Sequence, residues 1–188
     1  DTDRFSPNIS GEKVRQEFNI PKDAKVVTCV SRLDDFVATG ARQLIAAAPE
    51  LCNKIPDLYF LIAGGGDSFD EISSSAKAAN ISIGSDRVIL AGPRTDINEI
   101  IAAGDIFCGV SRAALEAMSS AKPVILSGYA GYIGIYNEGI LNYCHETNFC
   151  RNPETPSTPQ LIAKDVIKLL CDTSPENIRE LASQGRQA

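Results

Sequence analysis

Five short apolar runs, the first four each followed by a stretch with helical spacing, limit what this chain can fold into more than any other feature. KVVTCV (25–30) is continuous and β-branched, as expected of a strand buried on both faces. LYFLIAG (58–64), RVILAG (87–92), DIFCGV (105–110) and PVILSG (123–128) repeat the pattern. The segments between them, 38–55, 69–80, 95–104 and 111–121, place apolar residues three and four apart and read as helices, with Thr95 or Asp96 the N-cap of the third. Beyond residue 128 come a glycine-rich loop, GYAGYIG (128–134), and a short strand around ILNYC (140–144). A proline-rich linker, NPETPSTP (152–159), then precedes two terminal helices, QLIAKDVIKLLCD and PENIRELASQG. Strands and helices that alternate through tight loops build an α/β fold, a mainly parallel sheet with helices on both faces.

In such a fold ligands lie at the carboxyl ends of the strands, where strand order reverses. That directs attention to residues 31–35, 64–67, 92–96, 109–112 and 128–134. Composition removes several alternatives. With 18 Lys and Arg against 24 Asp and Glu, the net charge of −6 leaves no basic excess for nucleic-acid phosphates. The six cysteines form no C-x-x-C pair and His145 is the only imidazole, so no metal site is expected. Buried thiols in a reducing compartment account better for Cys29 and Cys171, which sit in apolar runs. No apolar run approaches the ~20 residues a membrane-spanning helix needs.

Ser111 follows the fourth strand and can cap a helix beginning at Arg112. An open helix N-terminus offers unpaired N–H groups and partial positive charge, which suits a phosphate. Glu116, one turn on, shares a face with Arg112. It is either half of an exposed i, i+4 ion pair, worth ~0.3 kcal/mol, or a carboxylate that accepts two ribose hydroxyls. Arg32, after the first strand, either pairs with Asp34 or Asp35 or faces a diphosphate with its bidentate fork. His145 is either a lone general base or a surface histidine.

The segment DIFCGVSRAALEAMSSAKPVILSG (105–128) resembles the nucleotide-sugar-binding segment of family-4-like glycosyltransferases (glycosyl transferase group 1), whose pattern ends E-A-M-A-x-G-x-P-V-I. Ala121 stands where that pattern most often has glycine. The likeness extends to KVVTCVSRLDD, FLIAGGGDSFDEI and VILAGPRTDINEIIAAGDIF in the family's order, with DTDRF (1–5) similar to its interdomain connection. The resemblance implies a Rossmann-like three-layer α/β/α fold, the C-terminal, donor-binding half of a GT-B enzyme. It divides the chain into a linker and lead-in helix (1–24), a nucleotide-sugar-binding core (25–151), and a linker with C-terminal helices (152–188).

By the same resemblance Glu116 is the ribose acid and Arg32 the diphosphate arginine, the two catalytic candidates. Ser31, Gly64, Gly65, Gly109, Ser111 and Arg112 surround the donor. Arg94 belongs to the loop around the nucleobase, its side chain either stacked or in solvent. Gly131 lies in a loop that either closes over the sugar or is simply flexible. The implied reaction moves a sugar from a UDP-linked donor to an unidentified acceptor, without metal or cofactor. An N-terminal domain would hold the acceptor, and the fragment alone would be inactive. The expected location is the cytoplasm, with membrane association through the acceptor or that other domain.

The chain departs from the family at two places. Val37 or Ala38 replaces the lysine that joins the arginine on the diphosphate, and Cys108 falls where the first of two glutamates belongs. The region is closer to the shorter form in GT-B transferases related to the peptidoglycan GlcNAc enzyme. Three rival readings follow: a non-hydrolysing UDP-sugar epimerase, which needs more histidines; a non-catalytic nucleotide- or partner-binding domain; and a receiver-like domain, suggested by Asp34-Asp35 but lacking a phosphoacceptor at 92–94.

Overall fold

The computed structural model describes residues 1–188. Six strands, β1 (Lys25–Val30), β2 (Leu58–Ala63), β3 (Val88–Gly92), β4 (Ile106–Gly109), β5 (Val124–Gly128) and β6 (Gly131–Ile135), form one sheet in the order β3-β2-β1-β4-β5-β6. The first five run parallel, and β6 returns antiparallel to β5. The helices are α1 (Glu12–Glu17), α2 (Thr39–Lys54), α3 (Phe69–Ile83), α4 (Ile97–Ala102), α5 (Ser111–Ser119), α6 (Leu141–Glu146), α7 (Pro159–Ile167) and α8 (Pro175–Gln187). A 3-10 turn (Asp35–Ala38) leads into α2, and a π-helical stretch (Lys168–Asp172) extends α7.

The continuous apolar strands are explained by burial on both sides. Val27 and Cys29 of β1, Phe60 and Ile62 of β2, and Ile106 of β4 pack against α2, α3 and α7 in the larger core. Their neighbours Val26, Leu61 and Ala63 face the other way, toward α1 and α4. Phe107, Val124 and Leu126 lie beneath Ala114, Ala117 and Met118 of α5. The result is the expected three-layer α/β/α architecture. The last two long helices begin with a Ser or Thr cap followed by proline. Thr158 accepts from the Leu161 amide ahead of Pro159, and Ser174 from the Asn177 amide ahead of Pro175. No helix is long and apolar enough to cross a membrane.

The structure differs from the sequence reading at two elements. The glycine-rich loop is largely the strand β6, because the chain turns back after Gly128 to pair antiparallel with β5 and the proline-rich segment closes its outer edge. The Tyr132 amide donates to Thr155 O (2.7 Å) and Asn152 Nδ2 to Tyr132 O (2.7 Å). Gly131, at φ +123°, is required there, since a Cβ would fall 1.8 Å from Asn152 O. The strand expected at 140–144 is instead a 3-10 turn (Glu138–Ile140) running into α6. Asn137 Oδ1 caps that turn by accepting from the Gly139 amide (3.0 Å), and Cys144 anchors the helix in the core.

Candidate nucleotide site

Strand order reverses between β1 and β4, so the loops that follow them diverge and leave a crevice, as an open parallel sheet requires. A cleft of about 740 Å³ occupies that position. Its walls include Ser31 and Arg32 after β1, Gly64 and Gly65 after β2, Pro93 and Arg94 after β3, and Ser111, Arg112 and Glu116 from the start of α5. Eight of the residues singled out from the sequence thus meet in one place. Gly109 and Gly131 do not. Gly109 is buried at the end of β4, where a Cβ would meet the Phe107 ring at 2.7 Å, and Gly131 serves the β6 edge. His145 lies on α6 with its ring 5.4 Å from that of Phe149, outside the cleft.

Short backbone bonds shape the floor. The Gly64 amide donates to Gly92 O (2.9 Å) and the Leu33 amide to Gly65 O (2.9 Å). Asp34 Oδ1 accepts from the Asp67 amide at 3.0 Å. Gly64 sits at φ +149° with Ser31 O where a Cβ would be, 1.8 Å away, so the loops after β1 and β2 approach backbone to backbone.

Ser111 does not cap α5, contrary to the expectation from sequence. Val110 occupies the cap position, and Ser111 is the first helical residue, at φ +57°. Its amide donates to Phe149 O (2.9 Å), which ties the turn after α6 to the start of α5. Amides 112–114 are left without an intrahelical acceptor, and no loop or side-chain acceptor reaches them. A strained, non-glycine residue in the left-handed region at a cleft is a feature of binding sites.

Glu116 is the most informative group. Burial pushes its carboxyl above the usual range, and the positive charges of Arg112 and Arg4 only partly offset this. Arg112 Nε stands 3.6 Å from Glu116 Oε1, but that guanidinium is 92% exposed, so the pair contributes roughly 0.3 kcal/mol. Desolvation wins. No donor hydrogen-bonds the carboxylate within the chain, so its acceptor sites are open to the cleft. Arg32 is similarly available: 74% exposed, with a single long contact from Nη1 to Asp34 Oδ2 at 3.4 Å.

Arg94 is not available in this way. Its Nη1 and Nη2 hold Glu17 (2.6 and 2.9 Å), and its Nε and Nη2 hold Asp96 (2.8 and 2.7 Å). These carboxylates raise the Arg94 pKa further, Asp96 the more strongly. Asp96 does sit at the N-cap of α4, but its carboxylate serves Arg94 rather than the helix. Arg94 therefore fastens α1 to the β3–α4 loop and lines the cleft with a neutralised charge.

The family model for glycosyl transferases group 1 matches residues 10–187. The chain belongs to that family. A UDP-Gal:alpha-D-GlcNAc-diphosphoundecaprenol alpha-1,3-galactosyltransferase of Escherichia coli is 29% identical over 144 residues, 70% of this chain and 35% of that protein. A glycosyltransferase of Rickettsia africae shares the fold with a TM-score of 0.75 at 19% identity, over all of this chain and 49% of that one. The Anabaena protein HepE, solved with UDP and glucose, gives 0.69 at 21% identity over the same shares. The group 1 chain described here thus spans about a third of the curated relative and half of these solved structures.

Among the cleft residues that escaped the sequence reading are Arg4, Phe5 and Tyr129. DTDRF read only as a connection, yet its basic–aromatic pair was the available signal. Tyr129 lay within the glycine-rich segment and was hidden by it. Its ring packs edge-on against Phe36 at 5.3 Å between centroids, and the Cys150 thiol beside its phenol raises its pKa.

Proposed function

We propose that this group 1 chain binds the nucleoside-diphosphate sugar of a glycosyltransferase, with UDP as the carrier, and that the whole protein passes the sugar to an acceptor held by another domain. The observation that carries this reading is Glu116, a half-buried carboxylate without a hydrogen-bond donor, one turn from an open helix N-terminus. Two ribose hydroxyls would satisfy the carboxylate, while the diphosphate lies against amides 112–114 and the Arg32 guanidinium. The UDP complexes of HepE and the UDP-galactose donor of the Escherichia coli relative support UDP.

In transfer, the bond from sugar C1 to the diphosphate oxygen breaks and its electron pair leaves with UDP. The acceptor oxygen forms the new bond and gives up its proton. Arg32 and the α5 amides face the oxygens where negative charge grows, the kind of interaction that favours a transition state. Val37, one of the two residues that stand at the lysine's place in the family pattern, lines the cleft with an apolar surface, and Arg32 acts there without that second cation. That substitution favours one alternative, a domain that binds nucleotide without catalysis. An epimerase is less well supported, because His145 stands outside the cleft. The same proposal places the protein in the cytoplasm, next to a membrane if the acceptor is a lipid. Subcellular fractionation of the tagged protein tests this, and recovery from a secreted fraction would overturn it.

Amide NMR titration of the chain with UDP, GDP and ADP tests the site. The expected result is shifts at 31–32 and 111–116 that are strongest for UDP and lost in Glu116→Ala. No shift with any nucleotide at millimolar concentration would sink the reading. Assay of the full-length protein then separates transfer, which yields a glycoside, from binding alone.

A further inference from the structure

Two guanidiniums stand at the end of the cleft built by the β3–α4 loop, and they differ in what they have left to give. Arg94 spends its donors on Glu17 and Asp96. Arg4 donates from Nη2 to Thr95 O at 2.8 Å and forms no ion pair. Its remaining donors are uncommitted, and it lines the same cleft as Glu116. A guanidinium has five N–H groups and no acceptor, so most of Arg4's capacity is open to a ligand.

Arg4 is held rather than loose. Phe5 is 5% exposed and packs in the cluster that contains Ala114, Ala117 and Met118 of α5. The Phe5 carbonyl accepts from Ser119 Oγ at 2.7 Å, and the Arg4 guanidinium lies 5.5 Å from the Phe5 ring centre. The lead-in segment is thus pinned to the helix that carries Glu116, and Ser119 is one turn along that helix from Glu116. The nearness is also electrostatic, since Arg4 is among the charges that pull the Glu116 carboxyl back down.

The order of groups along the cleft fixes what Arg4 can meet. Along α5 the open amides 112–114 come first, Glu116 a turn later, and then Ser119, which holds the carbonyl of Phe5 next to Arg4, while Arg4 itself reaches Thr95 O. A nucleotide has phosphate, ribose and base in that sequence. We propose that Arg4, supplied by the lead-in segment, meets the nucleobase of the donor and selects a base edge rich in carbonyl oxygens. This rests on the nucleotide-sugar reading of the cleft. Uracil offers O2 and O4 to such a donor, whereas the corresponding edge of adenine carries an amino group that would face the guanidinium donor to donor.

Calorimetric titration of the 188-residue chain with UDP, ADP and pyrophosphate tests the proposal, using Arg4→Ala and Arg4→Lys beside wild type. Hydrogen bonds to a charged donor predict that Arg4→Ala lowers UDP affinity about tenfold. Pyrophosphate, which has no base, should bind within about twofold of wild type, and the preference for UDP over ADP should shrink. Arg4→Lys keeps the charge and the stem but loses the planar fork, so its UDP affinity should stay near that of Arg4→Ala. Should Arg4→Ala melt early, Arg4→Lys carries the comparison alone. Equal losses for UDP and pyrophosphate would reduce Arg4 to general electrostatics and overturn the proposal, as would unchanged UDP binding. Wild-type chain that binds pyrophosphate but not UDP would overturn the nucleotide reading itself.

Discussion

A carboxylate that burial has raised, such as Glu116, couples the fold to pH in a direction opposite to a salt-bridged acid. Its folded pKa stands above its unfolded value, so the folded chain binds more protons between the two. Stability therefore falls as pH rises through that window, and the cost persists at neutral pH. Glu116→Gln removes the charge and should raise the melting temperature at neutral pH by roughly 1–2 °C, the scale of a fraction of a kcal/mol in a domain this size. The gain should vanish below both pKa values. Binding moves the other way, because hydroxyl donors favour the ionised carboxylate. UDP affinity should fall as pH drops from about 8 to about 5, more steeply for wild type than for Glu116→Gln. The phosphate's own titration is common to both proteins, so the difference isolates Glu116. Parallel pH profiles would mean that the carboxylate does not touch the ligand.

At the level of elements, the start of α5 separates a strained entry from a capped one. Were Ser111 a cap, replacing it with alanine would cost about 1 kcal/mol. Val110 occupies that position and the Ser111 hydroxyl bonds to nothing in the chain, so Ser111→Ala should unfold in urea within about 0.5 kcal/mol of wild type. Its UDP affinity should still drop several-fold, since the hydroxyl sits beside the open amides. The five parallel strands were legible because burial on both faces writes an unbroken apolar run, and their closing residues pointed to the cleft. The last strand was not. Gly128, Gly131 and Gly134 read as a loop, but the chain turns back there to pair antiparallel with β5, and the distant Asn152 and Thr155 close its outer edge. ILNYC misled in the opposite sense, because Asn137 and the buried Cys144 fix a helix that local propensity does not announce. The pairing of Arg94 and the availability of Arg4 are also long-range facts. Glu17 lies 77 positions from Arg94, and Thr95 lies 91 from Arg4.

On the scale of the whole molecule, the cleft supplies donor groups from one side only. Arg32, the α5 amides and Glu116 all belong to this sheet's carboxyl edge, with Arg4 brought to it by the lead-in segment, and the chain covers half the length of the solved relatives whose fold it shares. Transfer needs an acceptor hydroxyl fixed near the sugar and water kept away, which together can supply several kcal/mol of the barrier. Binding needs neither. The 188 residues should therefore retain UDP-sugar without consuming it. In a coupled assay for released UDP the isolated chain should match the no-protein blank, while calorimetry on the same sample registers donor binding. Extending the chain with the rest of its protein should raise turnover without a large change in donor affinity, because the added surface acts on the acceptor and on water. Donor affinity that appears only in the longer protein would instead mean that the nucleotide site is shared across domains, and that Arg4, on the connecting segment, is placed correctly only when both are present.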